Sequence, residues 1–376
     1  MEEVTPKIKK IEADYTDVVL VKLVGLEAVR YRPAMYIGNT GIPGMHHLFK
    51  ELVDNGVNEA VAGHCNQIEV TLHTDGSLSV RDSGRGIPLE TLKAVLMELH
   101  YRGKFSKVET TFRVGGGLHG VGTCCVCALA EWMETTVWQA GREVVIRTER
   151  GELVSERESA FNGPSGTQIR FKPDPEIFST TEWSVERLLA NLRQQAFLYP
   201  QLTVTFTDEA LGCDPQVLHF PGGISEWAIE NVAGRRPVHE TVIAGSGTKD
   251  GTEAEVAFFF TEDEPVWRIF GNGVELPDAG TPLTGFRQAV ARTLGRWARA
   301  HGREFEPRKA GLGVAVVISV RVRNPQFEGP TKNRLANPEA ASAVGAVTAE
   351  ALEAHFTQYP HQAEAILSGM LGIQGV

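Results

Sequence analysis

Glu51 and Asn55 lie four residues apart in a stretch, His46 to Ala62, whose apolar positions Leu48, Leu52, Val53, Val57 and Ala60 recur at helical spacing. That spacing puts both polar side chains on one face, away from the apolar stripe. A carboxylate so placed can orient or deprotonate a water, and an amide oxygen one turn on can ligate Mg2+, a hard ion that takes oxygen. The same pattern also describes the solvated face of an amphipathic helix. Asp82 ends the run Leu78 to Asp82, directly before Ser83-Gly84-Arg85-Gly86-Ile87-Pro88. A carboxylate there either forms a turn or accepts a hydrogen bond from an exocyclic amine, in a pocket whose glycines let a flat base approach. Gly116-Gly117-Leu118-His119-Gly120-Val121-Gly122 then leads into an apolar run. Such a loop lets backbone N–H groups crowd an anion, with the N-terminus of the next helix facing phosphate. No lysine stands before Thr123 and no strand precedes the loop, which excludes both the Walker and the Rossmann readings. Taken alone, the string fits a tight turn equally well.

The elements that would hold these residues can be read in order. After a loop-rich segment from Arg30 to Pro43 comes the helix just described, and then a hairpin. Gln67 to His73 alternates apolar and polar residues, Asp75-Gly76 turns, and Leu78 to Asp82 returns. A helical stretch is expected around Leu89 to His100, another helix from Cys124 to Trp132, and strands at Thr136 to Arg147 and Thr167 to Lys172. The character changes near Pro221-Gly222-Gly223. Beyond it the pattern reads strand (Ala254 to Phe260), strand (Val266 to Val274), helix (Thr284 to His301), strand (Val314 to Val322) and helix (Pro338 to Thr357), a βαβ-type order. The chain therefore divides into an arm at residues 1–24, a domain at 25–220 and a second domain at 221–376.

Hydrophobic residues make up 42% and charged residues 22% of the 376, an ordinary globular composition with material for more than one core. Against 47 Asp+Glu there are 37 Lys+Arg, a net charge of -10, and such a chain is a poor free-standing binder of duplex DNA. The five cysteines form no even disulfide set, and Cys124, Cys125 and Cys127 read as core packing rather than a metal site. No apolar run is long enough to span a bilayer, and Met1 to Lys10 lacks the apolar core of a signal peptide, so a cytoplasmic protein is expected.

No single motif decides the function, but their order does. Glu51-Leu52-Val53-Asp54-Asn55, then Asp82 to Pro88, then Gly116 to Gly122, then Gly166-Thr167 resembles the four nucleotide-site motifs of the GHKL ATPases. The string Gly116 to Gly122, with Arg32-Pro33-Ala34-Met35-Tyr36-Ile37-Gly38 and Asn324-Pro325-Gln326-Phe327-Glu328-Gly329, is similar to the amino-terminal ATPase region of type IIA DNA topoisomerase B subunits, gyrase and topoisomerase IV alike. The likeness runs from about Tyr15 to the end.

It implies an α+β fold: a Bergerat two-layer α/β sandwich, then a ribosomal-protein-like βαβ transducer domain. The resemblance assigns Glu51 as general base with His47 beside it, Asn55 as the Mg2+ ligand, and Asp82 as the adenine-reading carboxylate, supported by Thr167. Arg85, Gly86, Ile87 and Pro88 line the base side. Gly103, Lys104, Phe112 and then Gly116, Gly117, Leu118, His119, Gly120, Val121 and Gly122 form the lid and phosphate cradle. Lys332 corresponds to the transducer lysine that reaches the γ-phosphate, and Tyr15 to an arm tyrosine that crosses to the partner's pocket. ATP and Mg2+ are thus the implied ligands, and the implied assembly is a homodimer closing around duplex DNA beside a TOPRIM and A-subunit-type cleavage partner.

The sequence departs from the pattern at Phe112, where a lid tyrosine is usual, and at Pro330, where the family has glutamine. Gln139 stands in place of an arginine common at the pocket mouth, and the segment from Pro88 to His100 is shorter than usual. No TOPRIM motif follows before Val376, so DNA cleavage is not expected from this chain alone. Two functions fit: an ATPase clamp of a type IIA topoisomerase, whose Arg287, Arg292, Arg296, Arg299 and Arg303 would offer a basic helix to DNA, or a nucleotide-switch dimerisation module with little turnover.

Overall fold

The computed structural model describes residues 25–99, 121–212, 214–311, 313–328 and 332–372. Two short helices, α1 (Leu26–Tyr31) and α2 (Ala34–Ile37), lead into the long helix α3 (Ile42–Val61), which starts with proline in its first turn. Proline suits that position because its missing N–H would have no helical partner there. The hairpin β1 (Gln67–Leu72) and β2 (Leu78–Asp82) follows, then α4 (Leu92–Met97), α5 (Gly122–Leu129) and four antiparallel strands: β3 (Ala130–Gln139), β4 (Arg142–Glu149), β5 (Glu152–Ala160) and β6 (Gly166–Pro173). Helix α6 (Val185–Leu198) is capped by the Ser184 side chain and followed by β7 (Thr203–Asp208) and β8 (Gln216–Leu218). The resulting eight-stranded sheet has the order β5-β4-β3-β6-β2-β1-β7-β8. Helices α3, α5 and α6 pack on it. Strand β6 shows why: its odd positions Thr167, Ile169, Phe171 and Pro173 are buried, while Gln168, Arg170 and Lys172 are half-exposed.

Helix α7 (Gly223–Asn231) opens the second part, with its first residue at the Gly222-Gly223 break. Strands β9 (Ile243–Lys249), β10 (Thr252–Phe260), β11 (Val266–Gly271) and β12 (Val274–Glu275) precede α8 (Thr281–Ala300) and β13 (Val314–Arg321). The short pair β14 (Phe327–Glu328) and β15 (Arg334–Leu335) and the helices α9 (Pro338–Gln358) and α10 (Pro360–Gly372) complete the described chain. The second sheet runs β12-β11-β13-β10-β9, and β11 and β13 pair in parallel across α8, the βαβ unit that the sequence order implied. Helices α8 and α9 cover it through Phe286, Val290, Leu294, Val344, Leu352 and Phe356, all fully buried or nearly so. Each such side chain contributes about 1.5–3 kcal/mol by leaving water.

An aromatic seam joins the two bodies. Phe197 of α6 stacks on Trp227 of α7 at 5.0 Å between ring centroids, and Trp227 stacks on Phe270 of β11 at 5.3 Å. Phe270, Ala257 and Val317 thus belong to the same apolar core as the eight-stranded sheet.

Several expectations need correcting. The helix expected from Cys124 to Trp132 ends at Leu129, because Ala130 begins the strand carrying Thr135, Thr136, Val137 and Trp138. The run from Thr136 to Arg147 is two strands, split by a tight turn at Ala140 and Gly141, both at positive φ (53° and 77°). The segment from Arg30 to Pro43 holds α2, which Pro33 initiates at φ -59°. Arg303 lies beyond the end of α8 and pairs with Glu364, Arg296 pairs with Glu353, and Arg287 lies over the Trp267 ring. The basic helix is therefore partly neutralised by its own chain.

Candidate functional site

Helix α3 carries the acidic centre. Its apolar stripe is buried against the sheet, which turns His47, Lys50, Glu51 and Asn55 toward the N-terminus of α5 and the loop that bears Lys332. The Glu51 carboxyl is pushed up to about 7, first by burial and then by the charge of Asp54, against the pull of Lys50 and Lys332. His47 Nε2 lies 3.4 Å from Glu51 Oε1. Burial, then Lys50 and Lys332, hold the His47 imidazole below its ordinary range and keep it neutral at pH 7. Lys50 is itself committed to Asp54, at 2.6 Å.

Glycine at 122 lets α5 approach this carboxylate. A Cβ at that position would sit 2.1 Å from Glu51 Oε2, so any other residue there displaces Glu51. One turn along α3, Asn55 Nδ2 donates to Thr123 Oγ1 at 3.1 Å. With its nitrogen engaged, Asn55 keeps its amide oxygen for a ligand, and this suits a hard divalent cation. Among the described residues no group of three or more His, Cys, Asp or Glu side chains could hold a metal, so any cation here would take most of its oxygens from elsewhere.

Asp82 sits at the end of β2, opposite Thr167 on β6. Its carboxyl is raised to about 6 by burial first, with the Glu59 charge adding to the shift and the Gly84 N–H opposing it. That N–H donates to Asp82 Oδ1 at 2.8 Å. Three glycines make room for Asp82. A Cβ on Gly56 would lie 3.2 Å from Asp82 Cβ, one on Gly84 2.6 Å from Asp82 Oδ1, and one on Gly166 2.4 Å from the Asp82 carbonyl oxygen. The Thr167 hydroxyl accepts from the Ile87 N–H at 3.3 Å. Arg85 forks onto Glu59 through Nε (3.0 Å) and Nη2 (2.8 Å), while its backbone N–H donates to the same carboxylate at 3.1 Å. A buried acceptor beside small residues and a fixed loop is chemically apt for a flat base bearing an exocyclic amine.

Lys332 lies between β14 and β15, at a positive φ of 56° that a non-glycine residue seldom adopts. Its ammonium is held below its ordinary range by burial first, while Glu51 pulls it back up. The second body thus sends a cation to the carboxylate of the first. The structure brings together Glu51, His47, Lys332 and Gly122, with Asn55 one turn further along α3, in one cluster. Asp82, Thr167 and the loop of Arg85, Gly86, Ile87 and Pro88 form a second. Val121 directly precedes α5. Tyr15, Gly103, Lys104, Phe112, Gly116, Gly117, Leu118, His119, Gly120 and Pro330 lie outside the described residues. Cys124, Cys125 and Cys127 are free and buried in α5, which is core packing.

Sequence reasoning missed two supports, and gave a third, Gln139, only as a replacement for an arginine at the pocket mouth. Thr123 pins Asn55 across 68 residues, Glu59 locks Arg85, and Gln139 bonds to the loop after β2, giving Nε2 to the Arg85 and Gly86 carbonyls. No local pattern announces any of these; only the Glu59 position, two turns after Glu51 on the same helix, offered a hint.

Family comparison agrees with this geometry. Residues 41–177 match the model described as "Histidine kinase-, DNA gyrase B-, and HSP90-like ATPase", and residues 223–374 the one described as "DNA gyrase B". The gyrase B protein of Archaeoglobus fulgidus is 40% identical over 372 residues, 94% of this chain and 58% of that protein. The gyrase B protein of Thermus thermophilus is 39% identical over 362 residues, 92% of this chain and 57% of its own length. The chain thus spans rather more than half the length of these relatives. Among solved structures, the 43K ATPase domain of Thermus thermophilus gyrase B, in complex with an aminocoumarin, superposes with a TM-score of 0.79 at 35% identity, covering 92% of this chain and 93% of that one. The B-subunit of the Myxococcus xanthus gyrase gives 0.76 at 26% identity, over 91% and 99%.

Proposed function

The chain belongs to the gyrase B-type ATPase family, and from that premise we propose that it binds Mg-ATP between Asp82 and Glu51, hydrolyses it, and dimerises around it as the nucleotide-operated clamp of a type IIA DNA topoisomerase. The observation that carries this reading is the meeting of Glu51, His47 and Lys332. A carboxyl raised to about 7 is a base poised for neutral pH, and a lysine from the other body lies within its field.

In this reading Asp82 receives the adenine amine, and the Arg85–Pro88 loop flanks the ring. Glu51 takes a proton from water as the water oxygen bonds to the γ-phosphorus and the bond to the bridging oxygen breaks, releasing ADP. Neutral His47 orients that water or the carboxylate. Lys332 meets the charge on the γ-phosphoryl oxygens, so phosphate loss removes one of its attachments and frees the second body to move. Mg2+, for which the Asn55 amide oxygen is suited, supplies charge neutralisation of the phosphates when bound.

The division into residues 25–220 and 221–376, the exchange of the arm at 1–24 with a partner, a cytoplasmic setting, passage of duplex DNA through the clamp and work beside a TOPRIM and A-subunit-type cleavage partner are parts of the same proposal. Light scattering with Mg2+ and a non-hydrolysable ATP analogue tests the clamp. The expected result is a monomer without nucleotide and a dimer with the analogue; a monomer at saturating analogue contradicts it. Analogue-driven dimers with no turnover would favour the nucleotide-switch reading, with Phe112 and Pro330 as the residues to revert.

A further inference from the structure

Three strand ends meet at the base side of the site. Asp82 ends β2 and pairs with Thr167 on β6, and Gly166, just before it, pairs with Trp138 on β3. The last residue of β3 is Gln139. Its amide Nε2 donates to the Arg85 carbonyl at 3.1 Å and to the Gly86 carbonyl at 3.2 Å, and its Oε1 accepts from the Leu89 N–H at 3.4 Å. One side chain therefore serves three backbone groups of residues 85–89, a segment without helix or strand until its last residue. Such groups otherwise need water or another side chain. Gly86 is pressed against the same strand end: it holds φ +78°, and a Cβ there would lie 2.8 Å from the Trp138 carbonyl oxygen. Other ties on this loop are Ile87 N–H to Thr167, Ser165 Oγ to the Gly84 carbonyl, Arg85 to Glu59, and the N–H and hydroxyl of Thr91 to the Pro88 carbonyl.

We propose that Gln139 is a positioning residue that holds the base-side loop, residues 85–89, in its nucleotide-binding shape before nucleotide arrives. The inference rests on the reading of Asp82 as the base-recognising carboxylate. Glutamine fits the task because it offers two donors to the carbonyls and an acceptor to the amide in one planar group. A side chain that only accepts, or that bonds to nothing, leaves both carbonyls unserved. A loop already ordered loses little freedom on binding, so its benefit falls on affinity. The chemical step belongs to Glu51 and Lys332, and Gln139's three hydrogen bonds all run to the loop.

The test uses the full chain and three variants, Gln139→Ala, Gln139→Glu and Gln139→Arg. Calorimetry gives the Kd of a non-hydrolysable ATP analogue, steady-state turnover gives kcat and KM for ATP, and hydrogen exchange follows the Ile87 and Leu89 amides. Gln139→Ala should raise Kd and KM about five- to tenfold, the usual range for losing such bonds, with kcat within about twofold of wild type. Gln139→Glu should weaken binding at least as much, since its carboxylate faces two carbonyls. Gln139→Arg should recover part of the loss by donating to both, which also separates positioning from simple misfolding. The Ile87 and Leu89 amides should exchange faster in Gln139→Ala without nucleotide. Unchanged Kd and KM in Gln139→Ala, or a fall in kcat alone, overturns the proposal. If wild type itself binds no analogue, the nucleotide reading fails instead, and unchanged exchange at Ile87 and Leu89 in Gln139→Ala would then overturn the loop-holding role separately.

Discussion

Varying pH during ATP turnover interrogates Glu51 directly, because a general base acts only when ionised and kcat/KM reports the ionisations of the free enzyme. Burial and the neighbouring Asp54 charge raise this carboxyl from 4.5 to about 7. Roughly one-tenth of the molecules would carry the carboxylate at pH 6 and roughly nine-tenths at pH 8. The expected kcat/KM therefore rises about tenfold between those values and levels above pH 8. An ordinary glutamate would be ionised throughout and give a flat profile. His47 is shifted below 6.5 and the Asp82 carboxyl is raised only to about 6, so a limb near 7 belongs to Glu51. Two substitutions should move the limb in opposite directions. Lys332→Met removes an attraction that favours the carboxylate and should shift the limb to higher pH while lowering the plateau. Asp54→Asn removes a like charge, releases Lys50 to act on Glu51, and should shift it to lower pH. The assay is steady-state hydrolysis from pH 5.5 to 9 with ATP well below KM and ionic strength held constant. A flat profile up to pH 8, or a limb that stays put in both variants, refutes the reasoning.

Two further outcomes follow from contacts elsewhere. Thr123→Val keeps the side-chain shape but removes the hydroxyl that engages Asn55 Nδ2, so the Mg2+ concentration for half-maximal turnover should rise about fivefold, read by Mg2+ titration at fixed ATP. His239 is buried in the second body, accepting from the Phe260 N–H through Nε2 and contacting the Thr241 carbonyl through Nδ1, both at 2.9 Å. Its pKa is lowered to about 4, first by burial. The unfolded chain takes up this proton near 6.5 and the folded one only near 4, so the stability present above pH 6.5 is lost as pH falls toward 4, by up to about 3 kcal/mol. Urea denaturation at pH 7 and pH 4.5 should show this loss in wild type and a smaller one in His239→Gln.

The legible parts of the molecule were those whose signal is local. The apolar stripe of α3 and the Asp75-Gly76 turn between β1 and β2 depend on neighbouring residues, and both were read correctly. Strand β5 escaped because every one of its nine residues is exposed, so its charged sequence shows no buried alternation. The end of α5 was misplaced because Ala130, Trp132 and Met133 continue the apolar run of Cys124 to Leu129 with only Glu131 between, and the sheet pairing of β3 with β6 decides between helix and strand. Within the site, Glu51, Asn55 and Asp82 stood out by type and spacing. Lys332 did not: a lone loop lysine reads as a surface charge, and only the family string Asn324 to Gly329 ahead of it singled it out before the structure placed it within the field of Glu51. The supports Thr123 and Gln139 act across 68 and about 50 residues, beyond the reach of any periodicity.

Mg2+-dependent ATP turnover of the purified wild-type chain beside Glu51→Gln, an isosteric change that removes the base, tests the central claim most directly. The account predicts measurable hydrolysis by wild type and a loss of about a hundredfold or more in the variant, with analogue binding retained. Equal turnover in the two proteins, or none in wild type, would contradict it.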